Sequence, residues 1–266
     1  MCIPPPTLES APALRRGSCH IHLAFDDTVA SSVAHIGRCS PCLLRDLCLP
    51  QKLPEEVARR LAALVRVRRT LRRSEVLFRP SDPLEHLYAV HAGTFKSVIM
   101  HPDGREQVAD YMLPGELLGL SGIADGRHVS EAVALEDSQV CAVQYAELET
   151  VCGQVPILRH QLHRLIAGGI VREQKQVLRL GSTRGEARLA SFLLDVSTRL
   201  AARGYSPQSF FLHLSRGEIG SFLGLKLETV SRMFSRMQAQ NALRVRQREI
   251  TILDAQRLRN MAMASI

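Results

Sequence analysis

The sequence predicts an α+β chain: an N-terminal β-barrel or sandwich, one long helix, and a C-terminal winged helix-turn-helix. Three observations carry this expectation. From Glu75 to about Tyr145, short apolar runs alternate with turn residues at near-regular spacing, the texture of an all-β unit. After Pro156, a long proline-free stretch places Ile166, Ile170, Glu173, Val177 and Leu180 at steps of 4, 3, 4 and 3, the period of a coiled-coil seam. Beyond Ser215 the pattern reads helix, tight turn, helix and alternating hairpin.

Totals set the frame. A chain of 266 residues exceeds the usual single domain. Apolar residues at 45% supply ample core, and a net charge of +8 favours a polyanionic partner. No apolar run reaches the ~18–20 residues a bilayer span needs, and the first twenty residues lack the continuous apolar stretch of a signal peptide. A cytoplasmic location is the expectation.

In chain order, residues 1–38 are rich in Pro, Ser and Ala and read as a flexible arm containing Cys2 and Cys19. Cys39-Ser-Pro-Cys42 and Cys48 follow at C-x2-C-x5-C spacing. Seven cysteines in an intracellular chain point to metal binding or redox work rather than a disulfide framework. Leu53-Pro54-Glu55-Glu56 opens a helix, with Val57, Leu61, Leu64 and Val65 as its apolar face. The basic run from Arg66 to Arg73 suits a solvated surface better than a nucleic-acid contact. Strand candidates are Val76–Phe78, Leu87–Val90, Phe95–Met100, Val108–Met112 and Val133–Leu135, punctuated by Pro80–Pro83, Ala92-Gly93, Pro102–Gly104, Leu113–Gly115 and Asp125-Gly126.

The seam after Pro156, extended upstream by Leu162, is narrow and long enough to predict a homodimer. In a parallel two-fold dimer Glu173 meets its own copy, a repulsion on the order of a few kcal/mol; the alternative is that it lies slightly off the seam and pairs with the partner's Arg172 or the partner's Lys175. Residues 184–203 predict an amphipathic helix, and Phe210–Leu214 a short strand. Ser215-Arg-Gly-Glu218 is a capping box. A turn at Gly224-Leu-Lys226 leads to a second helix through Val230, Phe234 and Met237, and residues 243–252 alternate as a β-wing. The domains expected are 1–38, a flexible arm; 39–152, the cysteine segment and β-barrel; 153–183, the dimerisation helix; and 184–266, the winged helix-turn-helix.

Three clustered thiolates can hold three irons of a cubane or three corners of a structural zinc site, and both readings stay open on spacing alone. Cys19, Cys141 and Cys152 are the candidates for a fourth ligand. On the second helix, Glu228, Ser231 and Arg232 share one face near the start, where a recognition helix meets base edges. Glu accepts from cytosine N4, and Arg pairs with guanine O6 and N7. Lys226, Thr229, Arg236 and the wing residues Arg244, Arg246 and Arg248 are candidates for backbone phosphates.

A β-barrel, a dimerising helix and a winged helix-turn-helix in this order resemble the CRP/FNR family of transcription regulators, specifically its fumarate and nitrate reduction branch. The resemblance covers roughly residues 35–255. It rests on Cys39-x2-Cys42-x5-Cys48, Glu136-Asp-Ser-Gln-Val-Cys141, and Gly220-x2-Leu-Gly-Leu-x2-Glu-Thr-Val-Ser-Arg232. It implies a jelly-roll, cyclic-nucleotide-binding-like sensor domain and a [4Fe–4S] cluster on Cys39, Cys42, Cys48 and Cys141. It further implies oxygen-controlled dimerisation, binding to TTGAT-like inverted repeats in double-stranded DNA, and contact with RNA polymerase as activator or repressor. Lys226 departs from the family's usual Thr, and Leu227 stands where cyclic-AMP-responsive members carry Arg. One alternative is a cyclic-nucleotide-responsive regulator, since Gly115-Glu116-Leu-Leu-Gly119 resembles part of a phosphate-binding cassette. Val129 occupies the place of its phosphate-clasping Arg, which weakens that reading. A zinc-stabilised regulator is the other alternative. No paired nucleophile and base, and no Gly-rich phosphate loop after a strand, suggest an enzyme.

Overall fold

The computed structural model describes residues 55–182 and 184–264. The arm and Cys39, Cys42 and Cys48 lie outside the described residues.

The first helix, α1 (Glu55–Leu64), buries Leu61, Ala62 and Leu64 and runs directly into strand β1 (Val65–Leu71). Seven more strands follow: β2 (Val76–Phe78), β3 (His86–Ala92), β4 (Phe95–Met100), β5 (Glu106–Met112), β6 (Leu117–Leu118), β7 (Glu131–Ala134) and β8 (Ser138–Gln144). They form two four-stranded antiparallel sheets, ordered β1-β8-β3-β6 and β2-β7-β4-β5. Strand β8 shows the cause in its burial: Ser138, Val140 and Ala142 point inward, while Gln139, Cys141 and Val143 are only partly covered. Facing side chains such as Leu71, Phe78, Val90, Phe95, Met112 and Val140 pack between the sheets. The unit is therefore a jelly-roll-like sandwich; its sheets do not close into a barrel.

Two helices unmarked in the sequence reading frame the rest. Helix α2 (Tyr145–Gln154) joins α1 around Leu61, Leu64, Val151, Cys152 and Leu158. Helix α7 (Ala255–Met263) closes the chain, with Asp254 accepting from the Arg257 amide as its cap. Between them run α3 (Pro156–Ser182) and α4 (Gly185–Ala201), then β9 (Ser209–Phe211), α5 (Arg216–Leu223), α6 (Leu227–Ala239) and the hairpin β10 (Leu243–Arg246) and β11 (Glu249–Ile252). Strand β9 is a third member of the wing sheet, paired with β11. Arg68, Arg69 and Thr70 of the basic run sit in β1, opposite Cys141, Val140 and Gln139 of β8.

The two halves share a core. Val108, Tyr111, Leu113 and Leu135 of the sandwich pack into one cluster with Leu189, Phe192, Ile219, Phe222, Val230 and Phe234. Tyr111 is 1% exposed and meets Phe192 edge-on, with ring centroids 6.4 Å apart.

Candidate DNA-reading surface and metal centre

The helix-turn-helix is built from local chemistry. The Ser215 hydroxyl accepts from the Glu218 amide at 3.2 Å, and the Glu218 carboxylate accepts from the Ser215 amide at 2.7 Å, the reciprocal capping box the sequence predicted. The turn to α6 is tight. The Leu225 amide donates to the Gly220 carbonyl at 2.8 Å, and Gly224 adopts φ 63°. A methyl group on Gly220 would sit 2.5 Å from the Leu225 carbonyl oxygen, so only glycine fits there. Arg216 lays its guanidinium 3.4 Å from the Phe234 ring centre and braces the two helices.

Helix α6 buries Val230, Phe234 and Met237 and turns its opposite face outward. Lys226, Glu228 and Arg232 are exposed there, with Thr229 and Ser231 half-buried beside them. Lys226 is the N-cap residue and makes no side-chain cap bond. Glu228 lies in the first turn, where the helix dipole favours a carboxylate. Arg236 leans away, 3.4 Å from Glu186. In the wing, Arg244 and Arg246 are exposed, whereas Arg248 donates to the His213 carbonyl at 3.1 Å.

Helix α3 carries the seam residues on mixed ground. Leu162 packs with the α1–α2 cluster, Ile166 is half-buried, and Leu180 lines a cavity of about 510 Å3 between the sandwich and α3. Ile170 and Val177 are 50% and 69% exposed, and Glu173 is exposed at the cavity's edge. Val171 at 47% and Leu178 at 67% widen the open apolar stripe. Both lie one position off the 4-3 line that marks Ile170 and Val177 in the sequence.

Of the cysteines in the described residues, Cys152 is 5% exposed among leucines and valines, and burial raises its thiol pKa. Cys141 is half-buried on the outer side of β8, opposite Arg68 on β1 and Ala89 on β3. Among the described residues, no three metal-ligating side chains converge. Cys141 nevertheless suits a cluster completed by another segment: it faces outward, lies beside an arginine-bearing strand, and that strand continues from α1. Cys48 precedes Glu55 by seven residues, a reach of at most roughly 25 Å.

Glu116 of the cassette-like turn is 8% exposed, and its carboxylate accepts from Arg199 and Arg203. Burial works to raise its pKa, and the two guanidiniums outweigh burial, so the carboxyl sits below its usual range. Val129, in the place of the cassette's Arg, is 50% exposed. Among the described residues, no helix is long and apolar enough to cross a membrane.

Residues 187–261 match the Crp-like helix-turn-helix domain, and residues 68–154 match the cyclic nucleotide-binding domain. The chain is 41% identical over 223 residues to the transcriptional regulatory protein btr of Bordetella pertussis, covering 84% of this chain and 92% of that one. It is 38% identical over 224 residues to the fumarate and nitrate reduction regulatory protein of Salmonella typhimurium, covering 84% and 90%. The solved structure of FixK2 from Bradyrhizobium japonicum superposes with a TM-score of 0.68 at 31% identity, covering 75% of this chain and 98% of FixK2. Fold, capped helix-turn-helix and relatives together define a DNA-binding transcription regulator and not an enzyme. The chain belongs to the CRP/FNR family, in the branch of the fumarate and nitrate reduction regulators.

Proposed function

We propose that this regulator responds to oxygen: Cys39, Cys42, Cys48 and Cys141 would hold a [4Fe–4S] cluster when oxygen is scarce, favouring a dimer that binds TTGAT-like inverted repeats and controls anaerobic genes. The observation that carries this reading is the contrast between the two cysteines of the sandwich: Cys141 faces outward from β8, while Cys152 is sealed in an apolar cluster. Relatives named for fumarate and nitrate reduction support it. When bound, the cluster supplies thiolate–iron bonds that tie the cysteine segment to the sandwich and that oxygen breaks.

The chain's own residues do the rest. Leu162, Ile166, Ile170, Val177 and Leu180 form the dimer seam of α3, and Glu173 against its copy keeps that dimer marginal. Glu228 and Arg232 read a G·C pair, Ser231 touches a neighbouring base or phosphate, and Lys226, Thr229 and Arg236 hold the backbone. Arg236 would first have to release Glu186. The exposed segment His101–Gln107, which spans the β4–β5 turn and the first two residues of β5, is the candidate contact for RNA polymerase. The proposed division into arm, cysteine segment with sandwich, dimerisation helix and DNA-binding domain falls at 38/39, 152/153 and 183/184, the second boundary lying inside α2 (Tyr145–Gln154), and the proposed location is the cytoplasm.

Iron content tests the ligand set. Anaerobically purified Cys141→Ser should lose most of its iron and sulfide, and Cys152→Ser should keep both. Equal iron in the two variants would refute Cys141 as a ligand.

A further inference from the structure

We infer that Glu116 is a positioning residue for DNA recognition: it fixes the direction of α4, and thereby the separation of the two α6 helices in a dimer. The carboxylate sits on the β5–β6 turn of the sandwich; Arg199 lies in the last turn of α4 and Arg203 in the turn just beyond its end. Arg199 Nε and Arg203 Nη2 donate to Glu116 Oε1 at 3.1 and 2.7 Å, and Arg199 Nη2 donates to Oε2 at 2.5 Å. The same guanidiniums tie down the turn's backbone. Arg199 donates to the Tyr111 carbonyl at 2.6 Å and Arg203 to the Pro114 carbonyl at 2.5 Å. The side chains of Glu116, Arg199 and Arg203 are 10%, 14% and 7% exposed, and Asp195, 3.4 Å from Arg199, balances the second positive charge.

Leverage gives this contact its effect. Helix α4 joins the seam helix α3 through a short link, and Arg199 lies fourteen residues beyond Gly185, about 21 Å along the helix. A clasp that far from the link resists swinging of α4 better than a contact near it. Lys96 to Glu218 at 2.8 Å, and the Val108 amide to the Ser221 hydroxyl at 2.9 Å, dock α5 onto the same sheet. The two α6 helices of a dimer must sit one DNA turn apart, ~34–36 Å, so a swing at α4 changes the spacing they can read. Glu116 occupies the cassette-like motif Gly115–Gly119, yet only its neighbours Leu117, Leu118 and Gly119 line the cavity. Here the motif's carboxylate serves the joint between domains.

This inference rests on the two-fold dimer proposed above, and the test separates the two. The wild-type protein, purified anaerobically, selects its inverted repeat from random duplexes, and affinity is then measured for that repeat and for one with a base pair added between half-sites. Glu116→Gln should remain a dimer by sedimentation and lose roughly tenfold, about 1.4 kcal/mol, of the wild-type preference for the selected spacing. Arg232→Ala should weaken both duplexes and leave that ratio unchanged. If Glu116→Gln fails to fold, Arg203→Met, which keeps the Glu116–Arg199 pair, should show the same loss in smaller measure. A dimeric variant with the wild-type ratio overturns the inference. Selection of single half-sites by a monomeric wild type would instead overturn the dimer.

Discussion

Glu116 and Arg199, 83 residues apart in sequence, meet at 2.5 Å in the joint between the sandwich and the DNA-binding half. The pair is buried, so its partners depend on it. Glu116→Ala would leave Arg199 and Arg203 facing each other with less compensation, at a cost of about 3–5 kcal/mol. Thermal unfolding should fall by on the order of 10 °C for a protein of this size. Acid should weaken the joint in the same direction: the Glu116 carboxyl is held below its unfolded range, so its contribution is present above pH ~4.5 and is lost as pH falls through the lower folded value.

Base reading and backbone holding separate cleanly. Arg232→Ala should cost about 1–3 kcal/mol at one base pair of the half-site and flatten preference there. Arg246→Ala should weaken all sequences alike and reduce the salt slope by ~1. Competition binding against single-base variants at two salt concentrations checks both.

Glu173→Ala would remove the facing carboxylates of the proposed α3 seam. The variant should sediment as a dimer in air, under which the proposed oxygen response makes the wild type a monomer. A variant that stays monomeric in air would show that Glu173 lies off the contact.

The turn between α5 and α6 tolerates no side chain at Gly220. Gly220→Ala, forcing a methyl against the Leu225 carbonyl, should cost about 1–3 kcal/mol and abolish DNA binding while the dimer persists. Sedimentation and a binding titration on one sample decide it.

Three histidines set a pH trend in stability. Burial lowers the pKa of His91, with Arg68 adding to the effect, of His128, stacked 3.7 Å from Phe78, and of His213, where burial outweighs the attraction of Glu136. The unfolded chain therefore binds protons near pH ~6.5 that the folded chain refuses. Stability should fall as pH drops from ~6.5 toward the folded values, and unfolding temperature at pH 5.5 should lie below that at pH 7.5.

What the sequence made legible was local. Ser215 and Glu218 announce a helix start within four residues, whereas strand β8 (Ser138–Gln144) is not among the strand candidates, and its alternation of buried Val140 with half-buried Cys141 shows only in the fold. Helices α2 and α7 escaped because each buries little, Val151 and Cys152 in one and Leu258 in the other, so neither shows a sustained apolar period. The clasp escaped because no spacing rule links a glycine-flanked glutamate to arginines more than eighty residues on. On α3, the 4-3 step marked Ile170 and Val177, but Val171 and Leu178 lie one position off that line, and only their exposure reveals them.

One anaerobic sample followed as air is admitted, with visible absorbance, iron and sulfide content and sedimentation recorded together, decides whether a cluster controls the dimer. A brown dimer with iron and sulfide in equal amounts should bleach and become monomeric in step. A colourless protein carrying stoichiometric zinc, or a brown one whose mass is unmoved by bleaching, would contradict it.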